Sequence, residues 1–484
     1  MVYAPKLDSS LEEPLYRQLF KYFADLIRSG DLPAGERLPA TRELAGQLRV
    51  NRTTVSAAYE LLESENLISG HVGRGSFVCG TPSGPDADWL GLVRRVPGLG
   101  TRPPATSAQI SFAASRPPEE LFPVDDFRES CDEVLGSSLL GNILQLGSPG
   151  GYDPLRQYLL AQAREEGVLG PHDDLLITNG CQQALDLLRR VLLRNGVRVA
   201  VEDPVYPGLR NLFREGGAEL IGIPFRADGW NVGEMVQARA QLAVITPNFQ
   251  NPTGLSLGLE ARQAILRQAR DSGTALIEND IYSALRYEGD PLPSIKALAP
   301  AAATVLLRSF SKIAFPGLRL GWVIGPRVLI AAMRDAKQLT DLHSDQFSQA
   351  VMLRFAESGR LAKHQKNMVV AGAERLCVAL QSAREFLPSA AHFTRPQGGF
   401  NFWVSLPRDL DAGELLDGAQ ARGVTYLPGS YFSVTRSCAN ALRLSFGGLR
   451  PELIRRGISV LGEVFKDAGK SGRQFEREFA PALV

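Results

Sequence analysis

The sequence predicts an α/β chain with an N-terminal winged helix-turn-helix ahead of a mainly parallel sheet covered by helices. Three observations carry this. Helix-period segments separated by a tight Pro/Gly break open the chain, and a glycine hairpin follows them. A stretch dense in Pro and Gly comes next. Beyond it, short apolar runs alternate with helical patterns, as parallel strands joined by helices require.

At 484 residues the chain is too long for one ordinary domain. It is 44% hydrophobic and 22% charged, the composition of a globular protein. Its net charge of +1 names no partner by bulk electrostatics. The five cysteines, Cys79, Cys131, Cys181, Cys377 and Cys438, are scattered with no Cys-x-x-Cys pair. Neither a metal cluster nor a disulfide framework is expected, and a reducing cytoplasm fits. The opening "MVYAPKLDSSLEEPLY" has no signal-type apolar stretch. No uninterrupted apolar run approaches the ~20 residues that span a bilayer, so no membrane partner is expected.

Residues 1–80 read as one unit. "PLYRQLFKYFADLIRSG" places Leu15, Leu19, Phe20, Phe23, Leu26 and Ile27 at helical spacing. "DLPAGERLP" breaks it. "TRELAGQLRV" is a short second helix, with Leu44 and Leu48 four apart. "NRTTVSAAYELLESENLI" is a third, with Asn51 as its N-cap and Val55, Tyr59 and Leu62 as its buried stripe. "SGHVGRGSFV" then turns as a two-stranded wing with Arg74 at its tip. In a major groove, Arg52, Thr53 and Thr54 at the start of the third helix would reach base edges and phosphates. Arg42 and Arg74 would grip the flanking backbone. The plain alternative is a three-helix packing module. Residues 1–80 hold nine Lys/Arg against ten Asp/Glu, which favours that alternative. Residues 37–59, however, hold Arg37, Arg42, Arg49 and Arg52 against Glu43 alone, so charge is positive where contact is expected.

The unbroken pattern "LPAGERLPATRELAGQLRVNRTTVSAAYELLESENLISGHVGRGSFV" resembles the winged helix-turn-helix of GntR-type bacterial transcription regulators. The resemblance implies binding to a double-stranded DNA operator, normally as a dimer. Residues 81–106 read as a linker. Its Trp89, Leu90, Leu92 and Val93 are apolar for a free tether, so part of it is expected to dock on a neighbour.

From 107 to 470, strand-like runs include "VRVAVED" (197–203), "LAVITPN" (242–248), "TALIEND" (274–280) and "TVLLRSF" (304–310), with helical patterns between them. Ligands in such sheets bind at the carboxyl ends of strands. Six polar signatures sit at such ends or at the helix starts beside them. "TNGCQQAL" (178–185) puts small residues before a helix, where free N–H groups suit a phosphate. "EDPVYPG" (202–208) offers Tyr206, and "TPNFQNPTG" (246–254) two asparagines and a tight turn. "ENDIY" (278–282) offers Asp280, "SFSK" (309–312) Lys312, and "RLSFGG" (443–448) Arg443. Taken alone, each has an ordinary structural role: Lys312 as a solvated surface lysine, Tyr206 as core, Ser309 as a strand-end cap, Arg443 as a surface ion pair. Taken together they ask for one molecule. A desolvated lysine is a nucleophile for an aldehyde. A buried carboxylate needs a cation such as a protonated pyridine nitrogen. A phosphate needs a helix start, hydroxyls and an arginine. Pyridoxal 5′-phosphate (PLP) has all three parts.

The order of these motifs is similar to that of fold-type I, aspartate-aminotransferase-like PLP enzymes. The resemblance implies a large domain with a mainly parallel sheet and a small α+β domain. It implies that Lys312 carries PLP as an aldimine, that Asp280 keeps the pyridine nitrogen protonated, and that Asn251 and Tyr282 bond the ring oxygen. Tyr206 would stack on the ring. Gly180, Cys181, Gln182, Ser309, Ser311 and Arg319 would surround the phosphate, and Arg443 would clamp an effector carboxylate with a bidentate fork. No metal site is expected. That resemblance leads one to expect a His or a small residue near Phe249, whose bulk is expected to narrow the pocket. "DLHSDQFSQ" (341–349) receives no role.

The fusion of the two parts, with residues 471–484 as a tail, resembles the MocR group of regulators. That implies a head-to-tail homodimer whose ~25-residue linkers each reach up to roughly 80 Å. PLP, or PLP plus an amino compound, would then act as a signal on genes of vitamin B6 or of amino acid and amine metabolism. A second reading stays open: a working aminotransferase with a tethering or autoregulatory DNA-binding domain. A residual transaminase half-reaction fits either. A third, an ordinary enzyme with a structural N-terminal module, is disfavoured by the intact recognition-helix and wing pattern.

Overall fold

The computed structural model describes residues 5, 7–8, 11, 13–71, 75–79, 108–226, 229–230, 232–302, 304–435 and 438–478. Arg74 and residues 81–106, with Trp89, Leu90, Leu92 and Val93, lie outside the described residues. The chain divides into two compact units, Met1–Arg95 and Val96–Val484.

The first unit packs three helices and a hairpin: α1 (Leu15–Ser29), α2 (Thr41–Leu48), α3 (Arg52–Ser64), β1 (Ile68–His71) and β2 (Gly75–Val78). The helical stripes read from the sequence meet in one core, where Leu19, Phe23, Ile27, Leu44, Val55, Tyr59 and Leu62 are buried. Asn51 caps α3 by accepting a hydrogen bond from the Thr53 amide at 3.2 Å. The Tyr59 hydroxyl donates to the Pro39 carbonyl at 2.9 Å, which ties α3 to the loop before α2.

In the second unit β3 (Ile110–Ser111) comes first. A sheet of eight strands follows: β4 (Asp173–Thr178), β5 (Arg198–Asp203), β6 (Glu219–Arg226), β7 (Gly229–Trp230), β8 (Leu242–Ile245), β9 (Ala275–Asn279), β10 (Thr304–Ser309) and β11 (Gly321–Pro326). Their order is 4-11-10-9-8-5-6-7. The strands from β10 through β9, β8 and β5 to β6 are parallel, and β11 runs against both β10 and β4. The four runs read as strands are the four central ones. Their middles are apolar because both faces are covered: Leu306 enters one core, while Val305 and Leu307 enter the core on the opposite face. Because β11 reverses against β10, the chain leaving Ser309 turns through Phe310–Lys312 and Pro316–Leu318 and returns at once. That keeps Lys312 and Arg319 over one strand end.

A smaller lobe holds β12 (His392–Phe393), β13 (Asn401–Ser405), β14 (Val424–Thr425), β15 (Leu427–Pro428) and β16 (Ala441–Ser445). Its four-stranded antiparallel sheet has the order 12-13-16-15, and β14 pairs in parallel with β3. The helix Arg360–Phe386 joins the lobes: Leu361 and Met368 pack in the large core, Leu376, Ala379 and Ala383 in the small one. The last helix runs Pro451–Glu478, so it continues through eight residues that the sequence reading gives to a tail. Their polar composition carries no apolar period to mark them as helix. Among the described residues, no helix is long and apolar enough to cross a membrane.

Candidate functional site

The carboxyl ends of β4, β5, β8, β9 and β10 open onto one cavity of about 520 Å³. β16 of the small lobe closes its far side with Arg443. Ten of the twelve residues that the sequence assigns to cofactor and effector line it: Cys181, Gln182, Tyr206, Asn251, Tyr282, Ser309, Ser311, Lys312, Arg319 and Arg443. Gly180 and Asp280 do not.

Lys312 ends a short 3-10 turn, Phe310–Lys312, that is fixed by its N-cap Ser309. Ser309 Oγ accepts from the Ser311 amide at 3.0 Å and donates to the Leu320 carbonyl at 2.8 Å. Phe310 anchors the turn from below, its ring 4.8 Å from that of Trp322. Lys312 Nζ donates to the Ser115 carbonyl at 2.6 Å and stands 5.7 Å from the Tyr282 ring. Burial pushes the neighbouring Cys181 thiol up to about 12, although Lys312 and Arg319 pull it down. The thiol therefore stays protonated.

Arg319 lies against the start of the helix Gly180–Leu192. Gly180 has φ +74°, a conformation that favours glycine, and a Cβ there would stand 2.8 Å from Arg319 Nη2 and push the guanidinium aside. The helix start has no side-chain cap and no acidic residue in its first turn. With Ser309, Ser311 and Gln182 nearby it forms an anion cradle. No Asp or Glu lines the cavity among the described residues.

Arg443 is 4% exposed. It donates to Asn251 Oδ1 at 3.1 Å and to the Ala113 carbonyl, and its Nε has no hydrogen-bond partner. Phe432 faces it, 5.1 Å from ring centroid to guanidinium carbon. Burial draws its pKa down to about 10, against the pull of Tyr282 and Tyr206. A buried guanidinium with an open donor and no acid beside it suits an incoming carboxylate. Tyr282 is 1% exposed, with its hydroxyl 3.3 Å from Ser115 Oγ. The Tyr206 hydroxyl reaches Gln182 Oε1 at 3.4 Å.

Asp280 lies one wall deeper. Its carboxylate accepts from Asn248 Nδ2 at 2.9 Å and from Ser283 Oγ at 2.9 Å, and Arg308 Nε stands 3.5 Å away. The expectation that Phe249 narrows the pocket is corrected. Its φ of +49° turns the ring away from the cavity into the core, against Gly398 and Gly399. In the first unit, Arg42, Arg52 and Thr53 are exposed and Thr54 is half-buried, so the start of α3 is open to a ligand.

Residues 109–461 match the family model for aminotransferase class I and II. The chain belongs to the class I and II aminotransferases. Fused ahead of that domain, residues 15–78 match the bacterial regulatory proteins of the gntR family. The chain is 34% identical over 375 residues to aromatic-amino-acid aminotransferase 1 of Thermococcus litoralis, covering 75% of this chain and 90% of that one. It is 28% identical over 481 residues to the probable rhizopine catabolism regulatory protein MocR of Rhizobium meliloti, covering 96% and 97%. Its fold matches the crystal structure of multiple substrate aminotransferase from Thermococcus profundus with a TM-score of 0.76 and 31% identity, over 79% of this chain and all of that one. The two-part architecture is that of the MocR-type regulators, and the chain is a PLP-dependent DNA-binding regulator of this class I and II aminotransferase branch.

The residues present fit PLP by their chemistry: an amine with no acid partner among the described residues, an uncapped helix start with hydroxyls and an arginine, and a buried carboxylate one wall deeper. Sequence reasoning missed Ala113 and Ser115, whose carbonyls hold Arg443 and Lys312, and Asn248, which holds Asp280. It also missed Arg308, four residues before Lys312. The "SF" pair on a strand end drew attention to Lys312; no comparable signal marks "AAS" or Arg308.

Proposed function

We propose that this regulator reads an amino compound bearing an anionic group, in a cavity where Lys312 holds PLP, and passes the result to the linker of its winged helix. PLP supplies an aldehyde that condenses with primary amines and a ring that accepts electrons. Lys312 is the resident amine. When another amine takes its place, the freed Nζ has an acceptor ready in the Ser115 carbonyl, at 2.6 Å. Arg443 binds the anionic end of the newcomer. Arg319, Ser309, Ser311, Gln182, Cys181 and the helix start at Gly180 hold the phosphate. Asn251 and Tyr282 orient the ring, Tyr206 covers it, and Asp280 faces its nitrogen.

One observation carries the reading. The two residues that meet the ligand, Lys312 and Arg443, also hold residues 113–115, through the Ser115 and Ala113 carbonyls. That segment follows β3, close after the linker in sequence. With PLP bound, the Lys312 amine is taken away from the Ser115 carbonyl; an amino compound on PLP frees that amine to grip Ser115 again, while its anionic end competes with the Ala113 carbonyl for Arg443. The compound's differential affinity for gripped and released states is what reaches the linker, typically ~1–3 kcal/mol. The winged helix meets its operator through Arg52, Thr53 and Thr54, with Arg42 and Arg74 on phosphates. Two copies work head to tail in the cytoplasm.

The likeness to an aromatic-amino-acid aminotransferase favours a second reading, a working transaminase. The test is one titration of the PLP-loaded full chain with amino compounds and keto acids. A spectral change that stops at one equivalent per subunit supports the sensor. Many product molecules per subunit support the enzyme. A chain that remains colourless with PLP contradicts both.

A further inference from the structure

We propose that Arg308 is a positioning residue that holds the Asp280 carboxylate from behind and so weakens the hold of that carboxylate on a proton at the cofactor's ring nitrogen. The proposal rests on the reading of the cavity as a PLP site.

Arg308 stands on β10, but its side chain does not line the cavity of Lys312. It lines a neighbouring cavity of about 400 Å³, together with Asp280, Glu166 and Ser283. Its Nε lies 3.5 Å from Asp280 Oδ2 and has no hydrogen-bond partner, while Nη1 reaches Glu166 at the rim. The Asp280 side chain is 1% exposed and that of Arg308 20%, so water screens the pair poorly. The other charges around Asp280 among the described residues are Arg262, which holds Asn248 Oδ1 at 2.7 Å, and Glu278 on β9. Burial opposes the charge of Arg308, but Asp280 and Glu166 more than restore it, so its pKa is raised and it stays a cation at every working pH.

Asp280 therefore has a permanent cation on one side. A second cation, the protonated ring nitrogen, must share that carboxylate and face a like charge beyond it. The ring then holds its proton less tightly than Asp280 alone would make it. The consequence separates two kinds of chemistry. Exchange of one amine for another at Lys312 needs only the aldehyde. Loss of a proton from the carbon beside the amine needs the ring to take up an electron pair, and an unprotonated ring does this poorly. A site tuned in this way exchanges amino compounds readily and turns them over slowly, which suits a sensor.

The test uses the full chain loaded with PLP carrying ¹⁵N in its ring, and reads the ring ¹⁵N resonance across pH. Arg308→Met removes the charge and keeps an unbranched stem; the proton affinity of the ring is expected to rise at least ~10-fold, one pH unit. Arg308→Lys keeps the charge and is expected to stay within about threefold of the original. Glu166→Gln, at the exposed rim, leaves Arg308 less neutralised and is expected to lower the affinity by roughly threefold. The proposal is overturned if Arg308→Met follows the original curve, or if the Met and Lys variants shift equally, since shape rather than charge would then be the cause. Should Arg308→Met not fold, Glu166→Gln decides alone, and an unchanged or raised affinity overturns the proposal. A chain that takes up no PLP overturns the cavity reading and the proposal with it, and is recognised by the missing resonance.

Discussion

Among the described residues no acid lines the cavity that Lys312 and Arg443 share, yet the two are expected to do different work. Lys312 is placed by a turn that Ser309 caps and Phe310 anchors, and its reach ends at Ser115. Lys312→Ala is expected to remove the covalent link and the visible colour of the loaded chain, read by absorbance, while the melting temperature of the unloaded chain changes little. Arg443 is fixed by Asn251 and the Ala113 carbonyl, with one donor open. Arg443→Ala is expected to weaken binding of a carboxylate-bearing amino compound by about 30- to 100-fold, the ~2–3 kcal/mol of a charge-assisted contact. PLP uptake, read by absorbance, should persist. Lys312 was legible because it follows an apolar run at a strand end, where polar residues have little structural reason to be; Arg443 stands in the middle of β16, paired on both sides, and was legible only through the resemblance of its motif. Their partners were not. Ser115 lies 197 positions from Lys312 and Ala113 330 positions from Arg443, and no local pattern encodes contacts of that separation.

At the scale of elements, the start of α3 combines a structural cap with exposed contact residues. Asn51→Ala is expected to cost about 1 kcal/mol of stability, measured by chemical denaturation, through loss of the bond to the Thr53 amide. Arg52→Ala leaves that bond intact and is expected to abolish operator binding while PLP absorbance is unchanged. If Arg52 meets a phosphate, the salt slope of binding falls by about one per subunit. The parallel core was legible because a strand covered on both faces reads as a continuous apolar run, as in "TVLLRS". The place of Phe249 was not. A positive φ at a non-glycine residue is seldom encoded locally, and it decides whether that ring enters the cavity or the core. Asp280 was legible as a buried carboxylate, but not the Arg308 and Asn248 contacts that set it one wall below the cavity.

For the whole molecule, the floor of the large sheet carries two buried carboxyls whose protons are tied to folding. Burial pushes Glu202 up to about 8 and Glu278 to about 7, although Glu202 accepts from the Thr246 amide and Gln250, and Glu278 from the Ile295 and Lys296 amides. Both values stand above the ordinary 4.5, so each carboxyl binds its proton more tightly folded than unfolded. Their contribution to stability is complete below about pH 4.5 and is lost as pH rises to 7–8. Stability measured by urea unfolding is expected to fall across that range by on the order of 2 kcal/mol per group. Glu202→Gln should flatten the slope, whatever it does to the midpoint. The larger question is whether the cavity governs the winged helix. The direct measurement is fluorescence anisotropy of operator DNA, selected from a random library by the full chain, titrated with the original protein and with Lys312→Ala, each with and without PLP and an amino compound. The account expects the ligands to change operator affinity about tenfold in the original chain, the ~1.4 kcal/mol of a typical coupling, and not at all in Lys312→Ala. An equal change in both proteins, or none in either, would contradict it.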